Sequence, residues 1–162
     1  MAVDVHAAWT IFSRSSQRLA VSGALAVPPS QQTFLAFDYG LKRTGVAYGS
    51  RLLREAQPQA TVNAEGDARW SLITKRIAEW QPDALVVGVP FHPDGAEHDN
   101  TLQARRFARQ LQGRFHLPVF EVDERYSTVE AQSATIAGAT YRGGIDAASA
   151  AVILQQHLDT LR

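Results

Sequence analysis

Three carboxylates stand where this sequence could concentrate chemistry. Asp38 ends the apolar run "TFLAFD", Glu124 follows "LPVFEVD", and Asp146 opens the small-residue stretch "DAASAA". Each has an ordinary reading by itself. Asp38, just before Tyr-Gly, is the kind of residue that starts a hairpin turn. Glu124 is a surface acid at a strand end, and Asp146, after a glycine pair, is a helix cap. Together they are hard oxygen donors in a chain without cysteine, which excludes thiolate zinc sites, cysteine nucleophiles and disulfides. Converging carboxylates suit Mg²⁺ or Mn²⁺. Two such ions about 3.5–4 Å apart activate a water and stabilise the leaving oxygen of a phosphodiester. Cations flank every acid: Lys42 and Arg43, Arg125, and Arg142. They are placed to hold the phosphates on either side of a scissile bond.

Competing motifs fall away on inspection. Gly40 and Gly45 have the spacing of a phosphate loop, but Val46-Ala47 stands where Lys-Ser/Thr belongs. The segment after Gly45 reads as a strand, so no helix N-terminus is there to bind phosphate. A dinucleotide G-x-G-x-x-G is absent too. His92, Asp94, Glu97, His98 and Asp99 are metal-ligand types without a zinc spacing, and they read as a solvated, turn-rich loop. His6, His116 and His157 read as surface or packing residues. Ser127 opens S-x-x-E, a capping box and not a nucleophile. Trp70 and Trp80 read as core.

The elements that must position the acids alternate. "TFLAF" and "TGVAYGS" read as two arms of a hairpin, with a more polar third strand somewhere in 55–62. Asp67 caps a helix whose stripe is Trp70, Ile73, Ile77 and Trp80, and Pro82 stops it. "ALVVGVP" is a continuous apolar strand, of the kind covered on both faces. A polar loop leads to a helix with Ala104, Phe107, Ala108, Leu111 and Phe115 inward and Arg105 and Arg109 on another face. "LPVFEV" is the next strand. A helix starts at Ser127, and the last, from Asp146, turns Ala147, Ala150, Ala151, Leu154, Leu158 and Leu161 inward. The pattern predicts an α/β domain with a mixed sheet, a hairpin joined to parallel crossovers. Strands ending at Phe37, Val89 and Val122 would then open on one edge, where α/β proteins place ligands. Asp38, the loop after Pro90 and Glu124 all fall there.

At 162 residues, 45% of them apolar, the chain suits one domain with a sizeable core. Its formal net charge is zero, which argues against a strongly basic nucleic-acid coat. Only Lys42 and Lys75 among the 16 basic residues are lysine, so 14 are arginine, the better fork for phosphate. No run is long enough to span a membrane. Residues 1–32 are read as a poorly ordered tail bounded by Pro28-Pro29-Ser30, and 33–162 as the folded domain.

"AFDYGLKRTGVAYG", "PDALVVGVPFHPDG", "DERYSTVEA" and "IDAASAAVILQQHLD" succeed one another at a spacing that resembles the YqgF/RuvX family. Its members are similar to Holliday-junction resolvases of the ribonuclease H-like superfamily. The likeness runs from Thr33 to Leu161. It implies a five-stranded mixed sheet flanked by helices, with Asp38, Glu124 and Asp146 as metal-binding catalytic acids and Mg²⁺ or Mn²⁺ as cofactor. It also implies Lys42 and Arg43 near the substrate. The activity implied is a cytoplasmic nuclease maturing the 5′ end of pre-16S ribosomal RNA. The alternatives are resolution of four-way DNA, or a ribosome-assembly factor that binds nucleic acid and cuts weakly. The partners expected are pre-ribosomal RNA or branched DNA, pre-ribosomal particles and no membrane, for a monomer or weak homodimer. Two departures stand out: His92 where relatives often have asparagine, and a short "AGATYRGG" loop with one cation, Arg142.

Overall fold

The computed structural model of the chain describes residues 30–124 and 144–161. Backbone contacts divide the chain into two units, 1–31 and 32–162, and every described element belongs to the second. The helix expected from Ser127 lies outside the described residues.

The order is β1 (Thr33–Tyr39), β2 (Thr44–Ser50), β3 (Ala56–Val62), α1 (Gly66–Trp80), β4 (Ala84–Val89), α2 (Asp99–Phe115), β5 (Val119–Asp123) and α3 (Gly144–Asp159). The strands form one mixed sheet in the order β3-β2-β1-β4-β5. β1 runs antiparallel to β2 and parallel to β4, which runs parallel to β5. This is the five-stranded mixed sheet that the sequence implies. Pro58 sits on the edge strand β3, where a missing N–H interrupts no central ladder.

Alternation along β1 sends its side chains to two layers. Leu35 and Phe37 join Val46, Val62, Ile73, Leu85, Val87, Phe107 and Leu111 in the core beneath α1 and α2. Phe34 faces α3, with its ring 5.0 Å from that of His157. α3 approaches closely because the sheet has little bulk beneath it. A Cβ on Gly49 would touch Leu154 and Leu158, and one on Gly88 would lie 2.3 Å from Ile153. Gly45, Ala47 and Gly49 alternate along β2, so the small residues share that face.

The starts of β1 and β4 are tied together. The Asp83 carboxylate accepts from Gln32 N, Thr33 N and Thr33 Oγ1, while Asp83 N donates to Thr33 O at 2.9 Å. Their far ends therefore finish level, with Phe37 beside Val87.

Some local expectations change. Asp67 does not cap α1: Glu65 holds the extended N-cap position, and Asp67 lies inside the first turn, near the positive end of the helix dipole. The helix ends on Gln81 in the left-handed region, one residue before Pro82. Trp70 and Trp80 are half-buried and pack on the rim of the core, Trp80 stacking 4.3 Å from Tyr48. Ala151 on α3 is half-buried, as is Leu161 beyond the helix end, and Ala148, Ile153 and His157 join the buried face. The helix lies flat on the sheet, so its contact stripe is wider than one row.

His157 sits between Phe34 and Phe120, and its Nε2 finds no hydrogen-bond partner among the described residues. Burial, then Arg51, pushes its pKa down to about 4. The folded state thus resists a proton that the unfolded chain accepts near pH 6.5. Stability from this group is full above that pH and is lost as pH falls toward 4. In melting curves, the wild type should lose Tm relative to His157→Leu between pH 6.5 and 4. Parallel pH profiles would contradict this.

Candidate active site

Asp38 is the last residue but one of β1, just before the β1–β2 hairpin turns, and its cross-strand partner is Gly45. That glycine permits the site. A Cβ there would lie 1.9 Å from the backbone oxygen of Asp146, so any side chain would drive the start of α3 off the sheet. Asp146 is thereby held beside Asp38 from the opposite layer.

Glu124 arrives from the other direction. β5 ends with Asp123 opposite Val89, and Glu124 N then donates to Val89 O at 3.2 Å. Its side chain reaches back over Gly88, where a Cβ would come within 2.7 Å of Oε2. Each acid is thus brought to the edge by one glycine or one strand end.

The electrostatics record how close they are. Burial, then the charge of Asp146, raises the Asp38 pKa from 3.8 to about 7. Burial, then Asp38 and Asp123, raises Glu124 from 4.5 to about 8. Asp38 therefore has an acidic neighbour on each side. Among the described residues no three His, Asp or Glu side chains yet stand as a ready-made clasp for one ion. Asp146 instead turns to Arg43, whose Nε lies 3.2 Å from Oδ2. The three acids offer oxygen atoms alone, the donor type that hard divalent cations take.

Of the cations singled out in the sequence, Lys42 and Arg43 lie exposed on the hairpin turn beside Asp38. Arg125 and Arg142 lie outside the described residues. The histidine-rich loop has a structural use. His98 caps α2 by accepting from Asn100 N, and Thr101 Oγ1 accepts from His98 N. The same hydroxyl donates to Pro90 O, fixing the loop to the end of β4. A cavity of about 460 Å³ lined by Arg51, Arg54, Leu158, Asp159 and Leu161 lies at the opposite end of the sheet from the acids.

Residues 32–160 match the model of a family described as "RuvX: Holliday junction resolvase". The chain belongs to the RuvX family. A RuvX relative from Albidiferax ferrireducens is 64% identical over 83% of each chain. One from a Polaromonas species is 63% identical over 80% of this chain and 90% of its own. Both carry the provisional name of pre-16S rRNA nuclease. Among solved structures, Thermus thermophilus RuvC in complex with a Holliday junction substrate aligns over 80% of this chain and 94% of its own. Its identity is 14% and its TM-score 0.48. The signal missed in the sequence is the spacing of Gly45, Ala47 and Gly49, which marks the face of β2 that receives α3. Arg69, buried beside the hairpin turn, also lies outside the helix stripe that apolar residues mark.

This geometry sets two outcomes. Gly45→Ala should cost on the order of 1–3 kcal/mol in denaturant unfolding, as overpacking of a tight contact does. Unchanged stability would mean the α3 approach is looser than described. Asp38→Asn should have the opposite sign. A carboxyl whose pKa is raised on folding contributes stability below its unfolded value near 4, lost as pH rises through about 7. The variant's Tm should therefore exceed the wild type's at pH 8, with the gap closing toward pH 4.

Proposed function

We propose that this chain is a metal-dependent nuclease that hydrolyses phosphodiester bonds of precursor ribosomal RNA, trimming the 5′ end of pre-16S rRNA in the cytoplasm. The observation that carries the reading is Asp38 set between two other carboxylates, with its proton affinity raised by burial and by Asp146. Membership of the RuvX family and the names of its relatives support the same chemistry.

In this reading Asp38, Glu124 and Asp146 hold Mg²⁺ or Mn²⁺. The bound ion supplies a water of lowered pKa and charge neutralisation at the leaving oxygen. The chain's residues do the rest. Asp38, fixed in a paired strand, anchors the site, while Glu124 and Asp146 close on it from the two sides. Asp146, which pairs with Arg43, would be one of the groups holding the ion, and Arg43 would lie with Lys42 on the substrate phosphates. Arg125 and Arg142 are assigned to the same backbone grip. Such contacts position a nucleic acid without reading its sequence.

The test is cleavage by the purified full chain with Mn²⁺, comparing a pre-16S 5′ fragment with a four-way DNA junction. Trimming of the RNA, its loss with EDTA, and at least about a 100-fold loss in folded Asp38→Asn are expected for a group central to the reaction. Full activity of that variant would overturn the assignment of the acids. Cleavage of the junction alone would move the substrate to branched DNA, which the family's description favours. Cleavage of neither would remove the nuclease reading.

A further inference from the structure

Arg69 stands at the start of α1 and is 5% exposed. Its Nε donates to Ala64 O at 3.0 Å, and its Nη2 donates to Gly40 O at 2.7 Å and to Leu41 O. The guanidinium lies over the Tyr39 ring, 4.7 Å from the centroid. Among the described residues no carboxylate forms an ion pair with it. A buried cation balanced only by carbonyl dipoles and a ring face is costly, and an apolar side chain of the same size would avoid that cost.

The location of its acceptors gives the charge a use. Gly40 and Leu41 fall between Tyr39, the last residue of β1, and Lys42-Arg43. Ladder pairing stops at Tyr39 opposite Thr44, so the four residues 40–43 have no cross-strand partner. Leu41, Lys42 and Arg43 are exposed. The turn is also tight, since a Cβ on Gly40 would lie 2.6 Å from Arg43 O. One planar fork bonded to two consecutive carbonyls fixes the orientation of both peptide planes. Asp38 and Tyr39 lead into those planes, and Lys42 and Arg43 follow them directly in the chain.

We infer that Arg69 is the positioning residue of the active site, pinning the 40–41 peptides so that Asp38 keeps a fixed relation to Lys42 and Arg43. Its kinetic consequence rests on the nuclease reading, but its structural consequence does not. It touches no substrate. It acts through the turn.

The experiment uses full-length Arg69→Met and Arg69→Lys at a temperature where circular dichroism shows them folded. Hydrogen exchange read residue by residue should show amides 40–43 of Arg69→Met exchanging at least about tenfold faster, as for a loop released from its anchor. Amides 34–37 should keep wild-type rates. With Mn²⁺ and the RNA fragment, kcat per folded molecule should fall on the order of 10–100-fold, the scale of a small misplacement near the reacting atoms. Arg69→Lys, which keeps the charge and loses the fork, should fall between. A purely structural role would lower Tm and leave kcat per folded molecule unchanged. Wild-type exchange at 40–43, or wild-type kcat in folded Arg69→Met, overturns the inference. If Arg69→Met does not fold, Arg69→Lys supports both comparisons. If the wild type cleaves nothing, the nuclease reading fails separately, and the exchange rates still decide whether Arg69 pins the turn.

Discussion

Asp38 has a carboxylate on either side, Asp146 on α3 above the sheet and Glu124 beyond β4, and repulsion between them must be held in check by the fold. Burial sharpens it, because fewer waters screen the charges. The compensation visible in the structure is local and cationic. Arg43 answers Asp146 directly, while Arg69 lies one layer away behind the turn. Burial, more than the neighbouring acids, raises the proton affinities of Asp38 and Glu124. A domain that tolerates this arrangement gives up stability at its edge.

That edge is tolerated because the rest of the packing is firm. The Asp83 clamp aligns β1 with β4 at their starts, and the continuous ladder carries the alignment to the acids. α3 is seated on a strip of small residues, Gly45, Ala47 and Gly49 on β2 together with Gly88 on β4. Its own alanines near Asp146 complete a small-on-small contact. Bulk is confined to the other face, where Phe37, Phe107, Ile73 and Leu111 fill the core. The close approach on one side and the volume on the other are two halves of one design.

Much of this is legible in the sequence. The long apolar strands and the 3.6-residue stripes give the sheet and helix order, because burial on both faces leaves a periodic mark. The three acids stand out because each lies at one end of an element, Asp38 and Glu124 at strand ends and Asp146 in the first turn of α3. Several features are harder to see. Arg69 looks like an exposed helix residue, since charge predicts exposure and two of its carbonyl partners, Gly40 and Leu41, lie far back in the chain. His98 looks like a metal-ligand type in a wet loop, yet its imidazole serves as a cap, a use that depends on where the helix begins. Asp67 illustrates the usual uncertainty at a helix start, where the chain enters one or two residues away from the best capping type. The direction in which Asp146 turns is also hidden, because it depends on the balance between like charges and one nearby cation.

Asp38 and Tyr39 are consecutive residues on a strand, so their side chains leave on opposite faces. The first meets α3 through Asp146. The second lies against Phe107 of α2, 4.8 Å away, and beneath Arg69 of α1. A single peptide unit therefore stands between the two helical layers. Substitutions deep in either layer have a short route to the acid without touching it, so drift in the core of this domain is heard at its chemistry from both sides.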